Sequence, residues 1–137
     1  MLMNKRFRRS VAFLATVSLL ALIALPVMAK GNKPIVAIIK AEWCSACQKL
    51  DPIIMELKQH YGDRLEFVVL DVTNDDSVAE ARKTAQKHEL AQFLQQNQKK
   101  TSTVAVFGND KKILFQTAKN FDREAYVKAF EEAIARK

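Results

Sequence analysis

The two cysteines of this chain stand three residues apart, in Trp43-Cys44-Ser45-Ala46-Cys47, between an apolar run and an amphipathic one. That juxtaposition constrains the fold more than any other feature of the sequence. Ile35 to Ile39 is apolar without a break and reads as a strand buried on both faces. Beyond the cysteines, Leu50, Ile53, Ile54, Leu57 and Tyr61 recur at i, i+3, i+4 and i+7 spacing, which predicts a helix from about Cys44 to Tyr61. Pro52 falls inside it and should kink rather than end it, because the apolar period continues past the proline. A Cys-x-x-Cys pair at a strand-to-helix junction is a redox arrangement. Residues i and i+3 share one helix face, within reach of a disulfide. The partial positive charge of a helix N-terminus favours a thiolate. The segment therefore predicts a dithiol that can open and close.

The remaining elements follow from pattern and punctuation. Gly62-Asp63 stops the first helix. Leu65 to Val72 predicts a second buried strand and Thr73 to Asp76 a turn. Ser77-Val78-Ala79-Glu80 reads as a capping box that starts a second helix at Val78. This helix carries Ala81 and Ala85, breaks near His88, and resumes through Leu90, Phe93 and Leu94. Asn97 to Ser102 is polar and loop-like. Val104 to Phe107 and Lys112 to Gln116 predict two strands joined by a hairpin at Gly108-Asn109-Asp110-Lys111, residues suited to positive φ. Asp122 caps a last helix that buries Tyr126, Val127, Phe130 and Ile134. The order is β-α-β-α-β-β-α. A right-handed β-α-β crossover gives two parallel strands, and the hairpin adds antiparallel ones. The class is α/β, with a central four-stranded mixed sheet and helices on both faces.

Residues 1–29 read differently. Lys5, Arg6, Arg8 and Arg9 precede an uncharged, mostly apolar stretch from Val11 to Leu25, and Pro26-Val27-Met28-Ala29 offers a cleavage site after Ala29. A secretory signal peptide fits this layout. So does an uncleaved anchor crossing the membrane through residues 11–27, since the apolar run reaches the lower end of a spanning length. Both readings keep the basic end inside and put the domain outside the cytoplasm, periplasmic or otherwise extracytoplasmic, secreted or N-terminally anchored. Residues 30–34 form a linker and 35–137 the domain. Without the leader, the formal charge of +7 falls to +3, from 18 basic and 15 acidic residues. No basic patch interleaved with aromatics remains, so nucleic-acid binding is not expected.

Two cysteines cannot staple a disulfide-rich scaffold. A bridge between i and i+3 closes so short a loop that it adds little stability, which favours a redox couple over a structural bridge. His60 and His88 have no metal-ligand spacing relative to the cysteines and read as surface or packing residues. The sequence implies no cofactor and no resident metal.

The order of elements, with Trp-Cys-x-x-Cys at the first strand–helix junction, resembles the thioredoxin superfamily. The resemblance rests on Ala41-Glu42-Trp43-Cys44-Ser45-Ala46-Cys47, on Pro52 at the helix kink, on Leu70-Asp71-Val72, and on Val104-Ala105-Val106-Phe107 with Gly108-Asn109-Asp110. It covers nearly all of the chain after the leader and implies a thioredoxin-like fold. Four departures accompany it. The family's N-terminal strand and helix are missing ahead of Ile35. Ser102, in Thr101-Ser102-Thr103, stands where the family has a cis-proline, so a trans peptide is expected there. Ile38 replaces the family's buried acid and Val69 that acid's lysine partner. Extra helix lengthens the connection from Asp71 to Ser102.

The resemblance implies a protein-disulfide oxidoreductase in which Cys44, exposed at the helix start, is the nucleophile. Cys47, more buried, resolves the mixed disulfide. Trp43 shapes the contact surface. Lys40 is either a thiolate-stabilising group or a solvated strand-end lysine. The Ser102–Thr103 backbone pairs with a substrate peptide like an added strand. Partners are protein thiols and disulfides, and a reductant outside the cytoplasm needs a membrane electron carrier. A different class remains open: a metal-binding or chaperone-like module without redox turnover, the metal form requiring a bridged dimer because two thiolates are too few for a closed zinc site.

Overall fold

Burial on both faces puts the first strand at the centre. The computed structural model describes residues 32–136, so the expected leader lies outside the described residues. β1 (Ile35–Lys40) is buried at every position but its last. It pairs in parallel with β2 (Glu66–Asp71), Ile35 opposite Glu66 and Lys40 opposite Asp71. On its other side it runs antiparallel to β3 (Thr103–Phe107), Ile39 opposite Thr103. β4 (Ile113–Ala118) completes the mixed sheet in the order β2-β1-β3-β4.

The pleat sends alternate residues of β1 into two cores. Val36 and Ile38 face α1 (Ser45–Tyr61) and α4 (Arg123–Ala135), where Leu50, Ile54, Leu57, Tyr61, Tyr126 and Phe130 are buried. Ile35, Ala37 and Ile39 face the opposite layer, built from α2 (Asp75–Lys87) and α3 (Ala91–Asn97), with Ala81, Ala85, Phe93 and Leu94. Pro52 lies within α1, which runs on to Tyr61. Asp122 caps α4 as expected, its carboxylate accepting from the Glu124 N–H at 3.0 Å. Behind it, the Tyr126 hydroxyl donates to the Asn120 carbonyl at 2.7 Å. Burial, then the nearby Asp122 charge, pushes the Tyr126 pKa up to about 12.

Some expectations need correction. α2 starts at Asp75, three residues before the expected Val78. Asn74 caps it: its side chain accepts from the Ser77 N–H at 3.0 Å, and the Ser77 hydroxyl accepts from the Asn74 N–H at 2.9 Å. Ser77 is thus the third residue of the helix, and Asp75 and Asp76 occupy a first turn that favours negative charge. β2 is an edge strand with one well-buried face, Val68 and Leu70, while Val69 is 46% exposed. In the hairpin after β3, only Lys111 takes a positive φ, 62°; Gly108, Asn109 and Asp110 do not. On α4, Ala129 and Ala133 are buried, and Val127 and Ile134 only partly. The break near His88 is present, made by Glu89 at φ 61°. Among the described residues no helix is long and apolar enough to cross a membrane.

Candidate active site

β1 ends beside the start of α1, and the Cys44 N–H donates to the Ala41 carbonyl at 3.1 Å to close the turn between them. Cys44 is the N-cap of α1 in extended conformation, and its Sγ accepts from the Cys47 N–H at 3.1 Å. The sulfur takes the place of the usual oxygen cap, so an orphan helix donor points at it. Cys44 and Cys47 are joined as a disulfide, their Cα atoms 5.2 Å apart. Cys44 is not exposed as expected: it is 6% accessible and Cys47 2%. Both pack in the α2–α3 core layer with Ala41 and Val72. Cys44 nonetheless lines an open depression of about 420 Å³, and Cys47 does not.

Trp43 forms one wall of that depression. It is 65% exposed, and its indole N–H donates to the Thr73 carbonyl at 3.0 Å. The Glu42 N–H donates to the Thr73 hydroxyl at 3.0 Å. Thr73 in turn is held by the Asp71 carboxylate, which accepts from the Thr73 N–H at 2.8 Å and from its hydroxyl. Partial burial works to raise the Asp71 pKa. Hydrogen bonds from Thr73 and Ser77 and the charge of Lys40 outweigh it and hold the carboxyl below its ordinary value. The end of β2 thus fixes the loop that carries Trp43.

Lys40 is neither solvated alone nor bound to a sulfur. Its Nζ lies 3.3 Å from the Asp51 carboxylate, one helical turn beyond Cys47. Ile38 is buried among the α1 and α4 side chains, so no acid occupies that position. Ser102 has φ 62° in the left-handed region, and the peptide bonds of the described residues are trans. Its N–H donates to the Ile39 carbonyl at 2.8 Å and its carbonyl accepts from the Lys119 N–H at 3.0 Å. The Ser102 N–H is therefore taken, and its carbonyl already accepts one bond. Its hydroxyl is buried without a hydrogen-bond partner among the described residues. Thr103 lies between β1 and β4, and its hydroxyl donates to the Lys100 carbonyl at 2.6 Å.

Sequence reasoning missed the rest of the wall: Thr101, Lys49 on α1, and Lys119 and Phe121 after β4. The one signal available was Phe121, an aromatic just before a helix cap with no apolar period around it. His60 is exposed beside Tyr61, and His88 lies 3.4 Å from Glu66, both outside the depression. Among the described residues no group of three or more His, Cys, Asp or Glu side chains converges as a metal site would.

A four-stranded mixed sheet with a Cys-x-x-Cys disulfide capping its first helix defines a thioredoxin-like protein. The thioredoxin family model matches residues 26–120, and the chain belongs to that family. It is 42% identical over 45 residues to the thiol:disulfide interchange protein TxlA of Synechococcus elongatus, a match covering 33% of this chain and 24% of that one. It is 41% identical over 44 residues to the chloroplastic thioredoxin-like protein HCF164 of Oryza sativa, covering 32% and 17%. The matched segments thus span a quarter or less of these relatives. The fold is similar to the solution structure of a thioredoxin-like protein in the oxidized form, with TM-score 0.55 and 17% identity over 77% of this chain and 80% of that one. It is also similar to Fasciola hepatica thioredoxin, with TM-score 0.50 and 20% identity over 74% and 82%.

Proposed function

We propose that this domain is a thiol–disulfide oxidoreductase working outside the cytoplasm on protein partners, chiefly as a reductant. The observation that carries the reading is the asymmetry of the pair: Cys44 lines the depression, and Cys47 lies one helical turn behind it. In the reducing direction the Cys44 thiolate attacks one sulfur of a partner disulfide. The partner's S–S bond breaks, a mixed disulfide forms, and one partner thiolate leaves. Cys47, deprotonated, then attacks Cys44 Sγ, forming the Cys44–Cys47 bond and releasing the second partner thiolate. Two electrons pass to the partner, and the two protons of the dithiol balance its two thiols. Ile38 offers no base, so the Cys47 proton leaves to water or to the departing thiolate. Lys40, held by Asp51, contributes positive charge near the helix start, and Thr101 lines the partner's track, with Ser102 and Thr103 buried behind it.

The extracytoplasmic setting rests on the leader-like residues 1–29, and a reductant there draws its electrons from a membrane carrier. The name of TxlA, a thiol:disulfide interchange protein, supports the exchange chemistry. The test is the equilibrium reduction potential of the pair. A value near −270 mV means a reductant and one near −120 mV a disulfide donor. A Cys47→Ala variant should trap mixed disulfides through Cys44, and Cys44→Ala should trap none. A pair that fails to cycle overturns the reading and leaves a binding module.

A further inference from the structure

Five large hydrophobic residues are exposed among the described residues, and the two aromatic ones, Trp43 and Phe121, both line the Cys44 depression. They come from different ends of the chain. Trp43 is pinned through its indole to Thr73, and Phe121 is carried between β4 and the Asp122 cap of α4. Between them the wall carries two ammonium groups, Lys49 and Lys119, and no carboxylate. Neither lysine is in an ion pair among the described residues, although Lys40, Lys83, Lys111 and Lys112 all are. Lys119 is also fixed in place: its backbone is left-handed, φ 54°, and its N–H is bonded to Ser102. The acids nearest in sequence, Glu42 beside Trp43, Asp51 two residues past Lys49 and Asp122 beside Phe121, do not line the depression.

A concave wall carrying charge of one sign concentrates partners of the opposite sign. Two aromatic faces on the same wall offer apolar area to a peptide rather than to a small solute. We infer that the depression receives a partner polypeptide segment with an acidic side chain beside its reactive cysteine, the carboxylate lying against Lys49 and Lys119 and the segment's apolar flank against Trp43 and Phe121. This rests on the exchange reading above and adds a partner class to it. The chemistry is unchanged. A partner dithiol reduces the Cys44–Cys47 disulfide and is itself oxidised to a disulfide, or the same exchange runs in reverse.

The test uses the oxidised full chain and three synthetic dithiol peptides of one sequence, differing only in whether Glu, Gln or Lys flanks the cysteines. Exchange is followed through the fluorescence of Trp43, the single tryptophan. Each rate is divided by the same peptide's rate with neutral hydroxyethyl disulfide, which removes the effect of the flanking charge on the peptide's own thiols. The Glu peptide should react about tenfold faster than the Lys peptide at low salt, and the ratio should approach one at high salt. Lys49→Glu with Lys119→Glu should invert the order, an outcome that misfolding cannot produce. Lys49→Arg with Lys119→Arg should keep it. Equal normalised rates for all three peptides, or a Glu preference that survives charge reversal, overturn the inference and leave the exchange reading intact. Failure of every peptide to reduce the pair overturns both.

Discussion

The two faces of the sheet are built from different materials. The α1–α4 side is aromatic: Phe130 meets Tyr61 edge-on at 5.4 Å and Phe67 at 5.7 Å, and Tyr126 meets Phe115 at 6.0 Å. The α2–α3 side is largely aliphatic, its aromatic contact a single pair, Phe93 with Phe107 at 5.4 Å, and it holds both cysteines. Interlocked rings tolerate little rearrangement, because each edge-to-face contact depends on the position of its neighbours. A layer of alanines and leucines around a disulfide can adjust when that bond opens. The faces divide accordingly, one interlocked by rings and the other packed more loosely around the cysteine pair.

The largest expected effect comes from breaking the rigid face. Phe130→Ala should cost about 3–5 kcal/mol in denaturant titrations, equally in the oxidised and reduced forms, with the potential of the cysteine pair unchanged. Phe93→Ala should cost less, about 3 kcal/mol, and unequally between the two forms, so the potential should move by about 20 mV. If Phe130→Ala moves the potential as far as Phe93→Ala does, the division between the faces is wrong.

A smaller effect sharpens the same contrast at the edge of the site. Asp71→Ala removes the acceptor of the Thr73 bonds and should cost about 2 kcal/mol while freeing Trp43, seen as a change in its fluorescence. The Asp71 carboxyl is lowered in the folded state, so its contribution is complete above the ordinary carboxylate value of about 3.9. It is lost as pH falls through the lowered folded value. The wild type should therefore show an acid transition in Trp43 fluorescence below about pH 4 that the variant lacks.

Much of this was legible in the sequence because it is local. The five-residue cysteine segment, the unbroken β1 run, the period of α1 and the Asp122 cap each depend on neighbours in the chain, and each stands where the pattern put it. The start of α2 was misread because Asn74 and Ser77 both cap well, and only the reciprocal bonds between them show which residue is the cap. The depression was illegible for a different reason. Lys49, Thr101, Lys119 and Phe121 come from separate segments, and no periodicity links them. The burial of Cys44 depends on side chains from β1, β2 and the α2–α3 layer, which a one-dimensional pattern does not bring together.

Ser102 has a consequence for how such a chain can change over time. Its φ of 62° is closed to a proline ring, which requires about −65°, and its N–H is committed to Ile39. Proline at this position would lose that bond and force the loop into another path, so a single codon change toward the family residue meets a barrier rather than a slope. A change from serine to proline here requires Thr101, Lys119 and their neighbours to move with it.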